Sequence, residues 1–377
     1  MNRLQFGALG LSLLLPTAAL GDFQYQETTQ ITGGSLVGMM KFASHFSKQA
    51  KDVGAPVVSS VYVQGNRMAR IDPQTIQIID LDAETITNVD LQKHTYTRMT
   101  FEQMRQQFEQ AVQQAKAQQA KQQQPTDSTP QQKPDNVQVS FKVNVRNTGA
   151  TRQVSGVDAN EAILTMQMIG TDTTNGQQGA FAITNDMWMA PEIPGYDELR
   201  DFQKKLAAKM GEAFSGSGLS ATLTAMQPAA AQGMSDMVNE MSKLKGIPVE
   251  QIMRMGATAN GEPLPAASEA PLPPSPSGPE IPSAKDVAQQ SASNAIASKL
   301  SSFGIGGFSG FGHKKKQAPP PPPADDNSNT TQQTPTATVL MESKTELSGF
   351  SSTPIDAGKF AVPAGFTEIQ LQQPQAK

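Results

Sequence analysis

The chain has 377 residues, a formal net charge of −4, one tryptophan, 18 methionines and no cysteine. Without cysteine there is no disulfide, no thiol nucleophile, no cysteine-ligated zinc or iron–sulfur centre, and no residue for bacterial N-terminal lipidation. The mildly negative balance excludes general affinity for nucleic acid, which needs a basic excess to release counterions, and leaves membrane association peripheral at most.

Residues 1–21 have the order of a secretory signal peptide: Arg3, an apolar run from Leu4 to Leu15, Pro16, then Ala19 and Gly21 in a small-x-small cleavage pattern. The run is short for a membrane-spanning helix and is interrupted by Gly7 and Gly10. Export to the periplasm or secretion is therefore expected, with cleavage before Asp22 and an uncleaved anchor as the alternative.

From Asp22 to about Tyr96 the pattern has period two, which predicts antiparallel strands. Val57 to Val63 and Arg67 to Asp72 read as a hairpin turned by Gly65 and Asn66, and Thr75 to Asp80 with Thr85 to Asp90 as the next. Leu36, Met39, Met40, Ala43 and Phe46 recur instead at helical spacing, predicting a short helix within 36–53. Thr100 and Gln103 form a capping-box pattern before the stripe Phe101, Met104, Phe108, Ala111, Val112 and Ala115. That helix is expected to pack on the sheet and then to run into water as a Gln-rich extension, followed by a linker over 123–136.

Strands are predicted again at Val137 to Val145, Glu161 to Ile169 and Ala180 to Met189, the last two paired across a turn containing Asn175 and Gly176. Helices are predicted at Tyr196 to Phe214 and Ala229 to Lys245, with Gly246 and Pro248 as the stop. Val249 to Met255 fits strand and helix periods equally. Residues 257–335 turn to Pro, Ser, Gly and Ala, including Pro319 to Pro323, and read as a long disordered insertion with a marginal Ala-rich helix at Ala284 to Leu300. Thr338 to Leu347 alternates once more, and Lys359 to Ile369 is a final apolar segment. These late strands need partners earlier in the chain, so one α+β, mainly β domain is expected over 22–256 plus 336–371. The insertion would then occupy a surface loop, whose closure entropy grows slowly with length.

Chemistry is sparse. His45, His94 and His313 have no neighbours at metal-ligand or nucleophile-activating spacing, and no nucleophile elbow, dinucleotide fingerprint or phosphate loop occurs. Asp80, Asp82 and Glu84 lack the central glycine and later bidentate Glu of a calcium loop, so a charged turn is the plainer reading. A non-enzymatic protein without cofactor or metal is expected. Met39, Met40, Met68, Met166, Met168, Met187, Met189, Met253 and Met255 fall on candidate sheet or adjoining segments, and Met68, Met166, Met168, Met187, Met189 and Met341, with Trp188, are the first candidates for an adaptable apolar surface that takes a lipid or acyl chain, the alternative being simple core filling.

Five segments carry a resemblance: Val61 to Met68, Ile78 to Leu81, Lys93 to Tyr96, Asp186 to Pro191 and Phe360 to Phe366. They resemble a family of uncharacterised exported bacterial proteins whose domain is similar to Lol-type periplasmic lipoprotein carriers. The resemblance implies a curved antiparallel half-barrel sheet with packing helices and an apolar concave face that in the carriers receives acyl chains. It implies a lipid or lipoprotein acyl chain as partner. An envelope protein reached by the Gln-rich helix and the Pro-rich arm is the alternative partner.

Overall fold

The computed structural model describes residues 21–35, 37, 54–122, 137–174, 176–215, 228–259, 261–272 and 337–370. The signal segment up to residue 20, most of the 36–53 helix, the 123–136 linker and 273–336, with the Ala-rich helix and the proline run, lie outside them.

The described chain is mainly β. Twelve strands form one open sheet in the order β12-β6-β5-β4-β3-β2-β1-β11-β10-β9-β8-β7. The first half is a meander: β1 (Asp22–Gly33), β2 (Val57–Gln64), β3 (Arg67–Ile71), β4 (Thr75–Asp80), β5 (Thr85–Asp90) and β6 (Thr95–Thr100). The second half comprises β7 (Val137–Val154), β8 (Val157–Asp172), β9 (Gln178–Ala190), β10 (Ile247–Ala259) and β11 (Ala337–Ser351). Thus β10 takes the strand option left open for Val249 to Met255. All neighbours are antiparallel except β12 (Thr367–Glu368), which pairs in parallel with β6, so the sheet is mixed rather than purely antiparallel.

Why the chain turns where it does is visible in its hydrogen bonds. Asp72, Asp80 and Asp90 each open a hairpin loop, and in each case one carboxylate oxygen accepts two loop N–H groups at 2.7–3.1 Å. Glu84 and His94 then take left-handed conformations, both at φ 53°. Sequence and geometry repeat together every ten residues, from Asp80-Leu81 to Thr85-x-Thr87 and from Asp90-Leu91 to Thr95-x-Thr97.

β11 joins the halves. Residues 342–351 pair with β1 on one side, while Ala337 to Glu346 pair with β10 on the other, so a strand from the far end of the polypeptide lies in the middle of the sheet. Lys359 to Ile369 is not a full strand. It holds the end of a 3₁₀ turn (Ala357–Phe360) and the short β12, and with Ile355 it lays Phe360, Val362 and Phe366 over Ala69, Ile76, Ile78 and Val89.

Three helices position the rest. α1 (Phe101–Gln122) begins with the expected capping box: Gln103 N–H donates to Thr100 Oγ1 at 3.0 Å, and Thr100 N–H donates to Gln103 Oε1 at 2.9 Å. α2 (Tyr196–Ser215) presents Leu199, Phe202, Leu206 and Met210 at spacings of three and four to the largest core cluster, which includes Phe23, Val61, Val63, Ile79 and Phe101. Lys205 and Lys209 fasten it to Asn66 and Glu84 in the hairpin loops. α3 (Pro228–Met241) ends four residues before the expected stop at Lys245 and packs along β7.

One domain boundary differs from the sequence reading. β10 continues to Ala259, and residues 261–272 form a strap across the sheet in which Leu264, Ala266 and Ala267 are buried. Pro263 and Pro265 make this stretch look like part of the 257–335 insertion. What anchors it is a set of sheet side chains: from far along the chain Gln167 donates to Gly261 O and Thr184 to Leu264 O, and from β10 Thr258 donates to Glu262 O and Arg254 to the carbonyls of Pro265 and Ala266. Backbone carbonyls that would otherwise be buried without partners are thereby satisfied.

Candidate functional site

In an antiparallel sheet, residues paired across strands point to the same face, and neighbours along a strand point to opposite faces. The register of β7–β11 therefore sorts the predicted apolar residues. One row runs Met341, Met255, Ile183, Met166, Val143. The next runs Ser343, Met253, Asn185, Leu164, Val145, followed by Thr345, Gln251, Met187, Ala162 and Asn147. On the other side of the first row lie Phe181, Met168 and Phe141. Seven methionines from four strands, β8 to β11, thus share one continuous face. Met187 and Met189 are buried in a cluster with Ala162 and Leu164, while Met166, Met168, Met253, Met255 and Met341 are half-buried.

α3 lies beside this face, over the outer strand β7. A Cβ on its Gly233 would come within 2.7 Å of Phe141, so glycine is what permits the approach. Glu240 Oε2 accepts the N–H of Val145 at 3.0 Å, capping an edge group that would otherwise be open to pairing. The Lys243 ammonium and that N–H hold the Glu240 carboxyl below its ordinary range. Leu244, just after the helix, packs on the methionine cluster, whereas Val238 and Met241 remain exposed.

Two of the seven predicted residues do not belong here. Met68 pairs with Val63 and Ile79 and packs in the α2 core. Trp188 alternates with Met187 and Met189 and so faces the other way. Its ring lies 3.9 Å beneath the Arg152 guanidinium, which also binds Glu250. The β7–β8 tip leans over this opposite face, because Arg152 and Ser155 reach Glu250 of β10 and Glu346 of β11. Strict period two already forbids Trp188 from sharing a face with its two methionine neighbours. Met253 and Met255, which alternate with buried Arg254, complete the face.

The Trp188 face is apolar at one end, where Trp188 joins Ala190, Ile247 and Val249 in the α2 core cluster, and carries buried polar groups under the strap. Arg254, 1% exposed, donates from Nε to Glu342 Oε2 at 2.7 Å and spends Nη1 on the strap carbonyls. Asp186, also 1% exposed, accepts the Ser268 N–H at 2.9 Å. Burial pushes its carboxyl above the ordinary value and the neighbouring Glu161 charge raises it further, while Ser268 opposes both. Glu161 Oε1 and Asp186 Oδ1 are buried without a hydrogen-bond donor. Asp80, Asp82 and Glu84 are engaged in loop and loop-to-helix contacts: Asp80 with Asp82 and Ala83 N–H, Asp82 with Asn66, and Glu84 with Lys209. His94 sits exposed in its turn with its ring 5.1 Å from Phe366.

The chain matches no family model and no curated protein sequence. The geometry offers a flexible methionine-rich face flanked at one side by a helix, with Ser343, Asn185, Thr345 and Gln251 interspersed in its rows.

Proposed function

We propose that this chain is an exported, non-enzymatic envelope protein that holds an acyl chain, from a lipid or a lipoprotein, on the methionine face of β7–β11 beside α3. The observation that carries the proposal is the register that sets seven methionines from four strands in adjoining rows. Methionine is unbranched and polarizable, so such a surface adapts to chains of different length and kink. Binding requires burial alone: about ten methylenes at about 0.8 kcal/mol each contribute about 8 kcal/mol before association costs. Half-barrel curvature is part of the same reading, supported by bulges in the β1–β11, β9–β10 and β10–β11 pairings that bend strands locally. The motif-level resemblance to Lol-type carriers is in keeping with it.

Native mass spectrometry of protein purified gently from the periplasm tests the proposal, paired with the Met166→Glu and Met255→Glu variants. Wild type is expected to carry lipid-sized mass that both variants lose. A ligand-free wild type that also leaves the fluorescence of an added cis-parinaric acid unchanged would reject it.

A second reading has one observation in its favour. Phe101 is the only α1 residue buried among those whose side chains are described, so this Gln-rich helix stands out from the sheet, tethered at its first turn. A partner-binding arm would look like this. Deleting residues 106–122 should then abolish partner capture and leave bound lipid unchanged.

A further inference from the structure

Across β3–β6, an open groove of about 550 Å³ lies several strands along the sheet from the methionine rows. Its volume is within the range of ligand clefts, but its chemistry is unlike an acyl site. Cross-strand register builds its floor in two rows: Arg70, Gln77, Asn88 and Thr97, then Thr75, Asp90 and Thr95.

Every charged group in it already has hydrogen-bond or ionic partners. Arg70 makes two bonds to Glu27, at 2.7 and 3.0 Å. Lys93 sits 2.7 Å from Asp90, and Asp72 is held by the N–H groups of Gln74 and Thr75 and by the Thr75 hydroxyl. An ionic ligand would have to break these pairs. The groups left over are amides and hydroxyls that both donate and accept. Gln77 Nε2 donates to Asn88 Oδ1 at 3.1 Å, which fixes the two exposed amides relative to each other and frees the Asn88 nitrogen and the Gln77 oxygen. Thr95 and Thr97 add hydroxyls one strand further on. Strands about 4.8 Å apart repeat these groups at roughly the length of one pyranose ring. Three Asp-anchored loops keep the rows rigid, so little ordering is needed on binding.

We infer that this groove is a binding site for a neutral oligosaccharide, whose hydroxyl and acetamido groups meet the Gln77–Asn88–Thr97 row. The site is independent of the acyl proposal, since none of its residues lies on β7–β11.

Saturation-transfer NMR on the full mature chain is the test, with maltotriose and tri-N-acetylchitotriose as probes and thermal melts to confirm folding. Saturation transfer to at least one sugar is expected with a Kd of about 1 mM or tighter. The exposed double variant Gln77→Ala/Asn88→Ala should weaken it at least tenfold, and Thr97→Val should weaken it less. No transfer to either sugar, or transfer unchanged in the double variant, overturns the inference.

Discussion

Replacing Arg254 by Met isolates the interaction that holds the strap to the sheet. The guanidinium is 1% exposed and is bound to Glu342, whose side chain is 11% exposed, at 2.7 Å. Methionine has similar length and can occupy much of the volume, so cavity formation is a minor part of the cost. The main part is a Glu342 carboxylate left without its cation, about 3–5 kcal/mol when a buried pair loses one member. Thr32 still donates to Glu342 Oε1 at 2.7 Å, which places this contribution toward the low end. The carbonyls of Pro265 and Ala266 lose their donor as well, at about 1–3 kcal/mol for each that water does not reach. A total near 5 kcal/mol is a large share of the about 5–15 kcal/mol that stabilises a domain. Urea unfolding followed through Trp188 fluorescence measures it, and hydrogen exchange at 261–272 reports the strap directly. The double variant Arg254→Met/Glu342→Met removes both charges and should return to within about 2 kcal/mol of wild type. If the single variant costs less than about 1 kcal/mol, or the double is no better than the single, the ion pair does not act as described.

Asp186→Asn tests the buried carboxyl pair: because burial beside Glu161 raises the Asp186 pKa, the folded state binds its proton more tightly than the unfolded chain. Its contribution is complete below the ordinary Asp range and disappears as pH rises through the raised value. Wild type should therefore lose stability across that window and Asp186→Asn should not, with equal slopes in urea midpoints counting against the account. Gly246→Ala should destabilise by about 1–3 kcal/mol in the same assay, since the position has φ 100° and an added Cβ would meet Ala190 O at 2.3 Å. A neutral result there would mean that the approach of β10 to Ala190 is not tightly constrained.

Local features were legible wherever one short segment decides them. The Thr100–Gln103 box, the Gly65 turn and the alternation in β2 to β5 all formed as the residue pattern predicted, because each depends on contacts within a few positions. The ten-residue repeat from Asp80 stands out only beside the turn geometry, and it explains why Glu84 and His94 occupy equivalent turns. The strap was not legible. Its prolines resemble those of the tract that follows, and the groups that anchor it, Thr184, Asp186 and Arg254, are about 10 to 80 positions away. No window of composition contains that information. The methionine face was partly legible, since period two separates Trp188 from Met187 and Met189, but only register shows that Met255 lies between Met341 and Ile183.

The position of β11 ties these observations together. If the late strand had lain at an edge, β1–β6 and β7–β10 would be separate sheets, and the row Met341–Met255–Ile183–Met166 would end at β10. Placed between β1 and β10, it lengthens the apolar face by one strand and carries Glu342 to Arg254 on the reverse side of the same residue ladder. Adjacent residues Met341 and Glu342 therefore serve opposite faces, one extending the surface proposed for acyl chains and the other fixing the strap behind it. A substitution that shifted β11 by one residue would exchange those two side chains, burying a carboxylate among methionines and removing the partner of Arg254. Register in this strand is thus set from both sides of the sheet at once, which is why the strand can return from residue 337 across so long a connection and still pair in one alignment.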